Sequence, residues 1–322
     1  MNFDESIVSF GPEDALVGIL TEPGAGVVRA QVGCLLLNTG MNYRVGQRRI
    51  NVKLARRLAA SGIPTLRFDM SGIGDSRPSS SRDSFRQQQA NDMGAALDRF
   101  QASTGLRRFL VFGVCSGAEN ALSIGLVDSR VVGVLLFDGP DFLSKRVRAA
   151  RKLRRLTAFP FSAPLRHQNA GWQDLTAWLR SPLSAPLRRQ FLARLRKPRD
   201  AATEALPDIF STNAPAYSAK EYAADLQSLI DRGVDVYVMF SAMLHAADRN
   251  MDMLAQLRGE PCLKQIRYRF WPDIDHTATL LDGQRRLLDA IDAWAVEVAQ
   301  RPAGEAPQAP PGRQASVRSV KG

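Results

Sequence analysis

A cysteine in a glycine-flanked turn is the residue of this sequence best placed to act as a nucleophile. Cys115 lies in Gly113-Val-Cys-Ser-Gly117, between an apolar run at residues 109–112 and an apolar helical pattern at 118–126. The pattern small-x-nucleophile-x-small is typical of a sharp strand-to-helix turn that exposes a strained nucleophile. Small residues are needed there because the strand and the helix approach each other closely.

The neighbouring hydroxyl of Ser116 is the rival nucleophile. The residues two before and two after it are Val114 and Ala118. A β-branched valine suits a close approach of strand and helix poorly. The sequence therefore favours Cys115, and the alternative is a glycine-rich turn without chemistry.

A nucleophile needs a base, and the sequence offers three histidines. His276 lies in a loop between the last predicted strand and the last predicted helix, where a parallel sheet delivers side chains towards the turn that holds Cys115. His245 follows a strand predicted at 234–241, and His167 lies in a basic segment. We expect His276 to be the base, with His245 as the alternative.

The carboxylate that would orient the histidine is less clearly marked. Sheets of this kind deliver it from the loop after the penultimate strand, where the expected position holds Leu244. Asp248 lies a few residues further on, but it could simply cap the next helix. Asp138 directly ends the preceding strand, but it could be a turn residue. Both remain open, with a slight preference for Asp138, and a thiolate depends less on such an acid than an alkoxide would.

Acyl transfer also needs hydrogen-bond donors for the developing oxyanion. The backbone N–H of Ser116, the residue after the nucleophile, is one expected donor. The N–H of Met41 is the other, because Gly40 permits a sharp turn in the loop after an early strand. We therefore expect Ser116→Ala to cost far less activity than Cys115→Ala, since alanine keeps the N–H.

Strand and helix patterns alternate along most of the chain. Strands are predicted at 32–38, 64–69, 109–112, 131–137, 234–241 and 265–271. Helices are predicted at 47–61, 81–101 and 118–126, near 248–258, and from about 277 to 298. This alternation predicts an α/β fold with a mostly parallel sheet and helices on both faces.

The alternation breaks over residues 141–224, which carry helical pieces, several prolines and no strong strand. Such a break predicts a helical lid inserted after the sixth strand. The core would then comprise residues 1–140 and 225–300. Residues 301–322 are rich in Pro, Ala, Gly and Arg, so we expect a disordered tail.

The net charge of +11 is unevenly distributed. Residues 141–200 carry 15 Lys and Arg against three Asp and Glu, and the tail carries four against one, so the rest of the chain has a net charge of −4. The basic segment could be a solvated helix face, could gather an anionic substrate, or could contact an anionic membrane surface. We expect no nucleic-acid partner, because no recognised nucleic-acid motif is present.

The cysteine content and the hydropathy indicate a cytoplasmic protein. The three cysteines are few, odd in number and include no C-x-x-C pair, which disfavours a disulfide framework or a zinc site. No apolar run approaches the roughly 18 residues that a membrane span needs, and the N-terminus has no signal-peptide pattern. We expect no cofactor and no metal.

Three motifs together resemble the α/β-hydrolase superfamily, over roughly residues 15–140 and 225–300. Phe68-Asp-Met-Ser-Gly-Ile-Gly-Asp-Ser76 is similar to its D-x-x-G-x-G-x-S loop after the fourth strand. The turn Gly113–Gly117 resembles the cysteine elbow of dienelactone hydrolases. With Asn38-Thr-Gly-Met-Asn-Tyr-Arg-Val-Gly46, the set is similar to hydrolases associated with exosortase and surface-polysaccharide loci.

The resemblance implies an α/β-hydrolase fold in which Cys115 is the nucleophile and His276 the base. The sequence departs from the family pattern in two places. Leu244 stands at the expected acid position, and Thr39-Gly40 replaces a His-Gly pair in the oxyanion loop.

We therefore expect a hydrolase or acyl transferase that acts on an ester or thioester bond of a small-molecule substrate through a Cys115 acyl-enzyme. The alternative is a hydrolase-fold protein with little or no activity that serves as a binding partner in envelope or polysaccharide biosynthesis.

Overall fold

The structure is a computed structural model that describes residues 3–142, 217–241 and 253–302. All of these residues fall in one compact unit. The basic lid predicted within 141–224 and the tail predicted at 301–322 lie almost wholly outside the described residues.

The described strands form one eight-stranded sheet in the order β1-β2-β4-β3-β5-β6-β7-β8. Both pairings of β2, with β1 and with β4, are antiparallel, and the remaining five pairings are parallel. The prediction of a mostly parallel sheet is therefore confirmed. The strands are Phe3–Phe10 (β1), Leu16–Pro23 (β2), Gly33–Leu36 (β3), Thr65–Phe68 (β4), Phe109–Val114 (β5), Val131–Phe137 (β6), Asp235–Ser241 (β7) and Arg267–Trp271 (β8).

Helices cover both faces of the sheet. Within the described ranges they are Ile50–Ala60 (α1), Phe85–Thr104 (α2), Ser116–Val127 (α3), Ala219–Asp231 (α4) and Leu281–Gln300 (α5). Helices α1 and α5 pack together on one face, whereas α3 contacts both α2 and α4 on the other. None of these helices is both long enough and apolar enough to cross a membrane.

Close packing of α3 against the sheet brings its N-terminus to the carboxyl edge of the strands. A Cβ added at Gly125 would lie 2.9 Å from a methyl carbon of Val134 in β6, so the helix approaches the sheet more closely than an alanine would allow. On the opposite face, Leu110 and Phe112 of β5 enter the core cluster that includes Leu54 of α1 and Trp294 of α5.

The predicted helix near 248–258 is wrong over its described part. Residues 253–258 form turns and a short 3₁₀ segment, Ala255–Leu257. The backbone here pairs with Phe142 instead of forming a helix. Phe142 N donates to the Met253 carbonyl at 2.8 Å, and Gln256 N donates to the Phe142 carbonyl at 3.0 Å.

The antiparallel pair β1–β2 has no counterpart among the strands predicted from the sequence. The edge strand β1 is exposed at most positions and lacks a regular alternation of buried and exposed residues. Its pairing with β2 over eight residue pairs is a tertiary feature that the periodicity of a short segment does not reveal.

Candidate active site

The turn between β5 and α3 holds Cys115 in a strained backbone conformation. Its φ of 57° and ψ of −120° lie in a region that non-glycine residues seldom occupy. A Cβ at Gly113 would collide with the carbonyl oxygen of Gly117, and a Cβ at Gly117 would lie 2.5 Å from the carbonyl oxygen of Asn38. Both glycines are therefore required by the close approach of the backbone segments around Cys115.

His276 lies between Cys115 and a buried aspartate. Its Nδ1 is 2.8 Å from Oδ2 of Asp138, and the Cys115 side chain is close enough to influence its pKa. The Asp138 side chain is fully buried, whereas that of His276 is 20% exposed. The imidazole thus lies between the thiol and the carboxylate.

Asp138 is held from two directions at the end of β6. Its backbone N donates to the Met239 carbonyl at 2.9 Å. Its Oδ1 accepts from the backbone N of Ser241 at 2.6 Å, and its Oδ2 accepts from the hydroxyl of Ser241 at 2.5 Å. Together with the hydrogen bond to His276, these contacts fix both oxygens of the Asp138 carboxylate and therefore its orientation.

The pKa of His276 is raised from its ordinary value to about 10. The hydrogen bond to Asp138 is the main cause, and the hydrogen bond to Cys115 adds to it, while burial acts in the opposite direction. A partner that is negatively charged favours the protonated ring. His276 is therefore an imidazolium at neutral pH.

The loop that carries His276 is stabilised by its neighbour Asp275. The Asp275 carboxylate accepts from the backbone N of Thr277 and of Thr279, each at 2.9 Å. Burial opposes the shift, but hydrogen bonds from Thr277 and Thr279 lower the pKa of Asp275 to about 2. The side chain of Gln284 in α5 donates to the Ala278 carbonyl at 2.8 Å, which ties the loop to the helix that follows.

The expected oxyanion loop is a tight turn over Thr39–Asn42. Asn42 N donates to the Thr39 carbonyl at 3.0 Å, and Gly40 has a φ of 53°, which glycine adopts readily. The side chain of Asn38 donates to the Asn42 carbonyl at 3.0 Å and accepts from Met70 N at 3.1 Å. Met41, whose N–H is an expected oxyanion donor, is 55% exposed.

This turn is joined directly to the elbow by Ser116. Gly40 N donates to the Ser116 hydroxyl oxygen at 2.7 Å. Ser116 is the first residue of α3 and directly follows Cys115. The loop after β3 and the N-terminus of α3 are therefore in hydrogen-bond contact.

The other end of the loop is fixed by a buried ion pair. The carboxylate of Asp69, at the end of β4, accepts from Arg44 N at 2.5 Å and from the Arg44 guanidinium. It also accepts from Asp75 N at 3.1 Å. The two loops that carried the sequence motifs after β3 and β4 are thus held together.

The structure brings together Cys115, His276 and Asp138, with the Ser116 N–H and the turn of Met41 beside them. The alternatives His245 and Asp248, together with Leu244 and His167, lie outside the described residues. The role of Ser241 and the hydrogen bond between Gly40 N and the Ser116 hydroxyl were not predicted from the sequence. The position of Ser241 at the end of a strand parallel to β6 is a signal that strand-end reasoning could have used.

Comparison with known proteins gives structural likenesses only. No protein-family model matches the sequence, and no curated protein matches it. A hypothetical protein from Pseudomonas aeruginosa is similar over 92% of this chain and 94% of its own, with a TM-score of 0.52 and 18% identity.

An esterase from Pyrococcus furiosus is similar over 92% of each chain, also with a TM-score of 0.52, at 12% identity. Identities this low concern the fold and leave the reaction open. Together with the strand order and the strand–elbow–helix unit, these likenesses identify the chain as a protein of the α/β-hydrolase fold.

Proposed function

We propose that the protein hydrolyses or transfers an acyl group from an ester or thioester through a covalent intermediate on Cys115. The observation that carries the proposal is that His276 lies between Cys115 and Asp138, with its Nδ1 2.8 Å from the carboxylate. A thiol beside an imidazole that a buried carboxylate orients is the arrangement of a cysteine acyl-transfer enzyme.

In the first half-reaction the Cys115 thiolate attacks the acyl carbonyl carbon. A carbon–sulfur bond forms, and the carbonyl oxygen becomes an oxyanion that accepts hydrogen bonds from the N–H groups of Ser116 and Met41. The bond to the leaving group then breaks. The His276 imidazolium donates its proton to the departing alkoxide or thiolate, which leaves a thioacyl enzyme and a neutral imidazole.

In the second half-reaction the neutral His276 accepts a proton from water. The hydroxide that forms attacks the thioacyl carbon, the carbon–sulfur bond breaks, and the carboxylic acid product leaves. The thiolate–imidazolium pair is then restored. An alcohol or thiol in place of water gives acyl transfer by the same steps.

Asp138 orients His276 and stabilises its positive charge in both steps. Because Ser241 holds the same carboxylate through two donors, the acid does not need to reorganise as the charge on the ring changes. We therefore assign this role to Asp138, which directly follows β6, rather than to the alternative Asp248.

The substrate class is proposed more narrowly from the sequence. The excess of Lys and Arg in residues 141–200 favours an acyl substrate that carries negative charge, or contact with an anionic membrane surface. The cysteine usage favours the cytoplasm. The motif resemblance favours a role beside surface-polysaccharide biosynthesis.

Labelling with a fluorophosphonate and with a thiol-directed acyl probe, followed by peptide mapping, tests the nucleophile. We expect the label on Cys115 and its loss in Cys115→Ala, with turnover of acyl esters and thioesters reduced by about 100-fold or more. An acyl-enzyme mapped to Ser116 would contradict the proposal. Turnover unchanged by Cys115→Ala would instead favour a binding protein on a hydrolase fold.

A further inference from the structure

The hydroxyl of Ser116 makes a hydrogen bond that the proposed mechanism does not require, because that mechanism uses only backbone N–H groups as oxyanion donors. Its oxygen accepts from Gly40 N at 2.7 Å, although the two residues are 76 positions apart. The bond joins the N-terminus of α3 to the turn Thr39–Asn42, the two segments that carry the proposed oxyanion donors. A change in their separation would alter the distance between those donors.

The same bond determines which N–H groups of the turn remain for substrate. The hydrogen bond that closes the turn runs from Asn42 N to the Thr39 carbonyl, so it uses neither the Gly40 N–H nor the Met41 N–H. Gly40 donates to Ser116. Of these two groups, the Met41 N–H is the one left to face an oxyanion.

The turn is fixed at its flanks as well as at Gly40. Asn38 bonds to both Asn42 and Met70, and Arg44 is paired with the buried Asp69. A Cβ at Gly40 would have no atom within 4 Å. A side chain at this position would therefore face open space, and the hydrogen bond to the Ser116 hydroxyl is a contact that fixes the turn at Gly40.

We propose that Ser116 is a positioning residue. Its hydroxyl fixes the turn Thr39–Asn42 against the Cys115 turn and so directs the Met41 N–H towards the reacting carbonyl. The inference rests on the proposed acyl-transfer function. It gives the hydroxyl a role beside the expectation that Ser116→Ala costs far less activity than Cys115→Ala. The backbone N–H of Ser116 survives that substitution, but the acceptor for Gly40 does not.

The test compares two reactions of Cys115 in wild type, Ser116→Ala and Ser116→Thr. Addition of the thiolate to a trifluoromethyl ketone forms a carbon–sulfur bond and leaves a tetrahedral oxyanion, so its equilibrium depends on the oxyanion donors. Alkylation by iodoacetamide displaces iodide and forms no oxyanion at a tetrahedral carbon. The exposed Ser123 of the same helix supplies the control variant Ser123→Ala.

For Ser116→Ala we expect kcat and trifluoromethyl ketone affinity each to fall about tenfold, less than the roughly 100- to 1000-fold that follows loss of an oxyanion donor itself. KM, thermal stability and the alkylation rate should stay close to those of Ser123→Ala. Ser116→Thr, which keeps the hydroxyl, should recover most of the loss.

Equal ketone affinity in Ser116→Ala and wild type would overturn the inference. A parallel fall in the alkylation rate would also overturn it, because the hydroxyl would then act on the thiolate rather than on the oxyanion turn. Acyl turnover that survives Cys115→Ala would overturn the proposed function and this inference together. A fall in both kcat and ketone affinity of Ser116→Ala, with an unchanged alkylation rate, supports both.

Discussion

Two side chains at the carboxyl ends of adjacent parallel strands fix the orientation of the His276 imidazole. Asp138 directly follows β6, and Ser241 ends β7 beside it, with the Ser241 hydroxyl 2.5 Å from the carboxylate oxygen that also contacts His276. A serine that donates to this oxygen limits rotation of the carboxylate, so the imidazole keeps one orientation. The Cys115 turn and the His276 loop could be predicted from the sequence because a glycine-flanked turn and a late loop are local patterns. The choice between Asp138 and Asp248 could not be made from the sequence, since it depends on which strand ends face His276.

Asp138→Asn should lower the pKa of His276, because the hydrogen bond to the carboxylate is the main cause that raises it to about 10. The alkaline limb of kcat/KM, where the imidazolium loses its proton, should therefore move to lower pH. With only three histidines in the chain, imidazole NMR can follow His276 directly. An alkaline limb and a His276 titration that stay at the wild-type pH would contradict the assignment of Asp138.

Ser241→Ala should lower kcat by about fivefold with little change in KM, since one hydrogen bond to the carboxylate is worth on the order of 1 kcal/mol and the Ser241 N–H remains. Steady-state kinetics on an acyl ester measure the effect. Ser241→Thr retains a hydroxyl and serves as the matched control. A rise in KM without a fall in kcat would place Ser241 in substrate binding instead.

At the scale of elements, Gly113 and Gly117 determine how closely α3, β5 and the proposed oxyanion loop approach one another. Strand and helix positions near the elbow followed from apolar runs and from periodicity, and most predicted elements are present with shifted ends. The elements that sequence patterns missed depend on distant partners. The edge strand β1 is defined by its pairing with β2, and residues 253–256 pair with Phe142 where a helix was predicted.

Gly117→Ala should destabilise the fold by about 1–3 kcal/mol, as overpacking does, because its Cβ would lie 2.5 Å from the Asn38 carbonyl oxygen. It should also lower kcat, since Asn38 begins the oxyanion loop. Gly94→Ala is the control. Gly94 lies in α2 with nothing within 4 Å of an added Cβ, so alanine there should stabilise by up to about 1 kcal/mol. Urea unfolding of both variants checks the contrast, and a neutral Gly117→Ala would contradict it.

At the scale of the whole molecule, the topology places the site at the carboxyl edge of six neighbouring parallel strands. In sheet order, β4, β3, β5, β6 and β8 are followed by Asp69, the Gly40 turn, Cys115, Asp138 and the His276 loop, and Ser241 is the last residue of β7, which lies between β6 and β8. The alternation of strands and helices predicted such an edge, because parallel strands deliver their loops to one side. It could not predict which loops bond to each other, as Gly40 does to Ser116.

The raised pKa of His276 links the stability of the whole fold to pH. A group whose pKa is higher in the folded protein contributes stability that is fully present below its unfolded pKa of about 6.5 and is lost as pH rises through the folded value, here about 10. The free energy of unfolding of wild type relative to His276→Gln should therefore decline between these limits. Urea titrations at several pH values measure the difference, and a constant difference would contradict the shift.

A cysteine as the proposed nucleophile would expose the protein to oxidants that a serine enzyme would resist. Cys115 is partly exposed, whereas Cys34 and Cys262 are buried and burial raises the pKa of both thiols, so peroxide should react first at Cys115. The expected product is a sulfenic acid that dithiothreitol reduces, with activity lost and regained in step. Mass spectrometry of the peroxide-treated protein should find the added oxygen on Cys115. Sustained activity would then require a reducing environment.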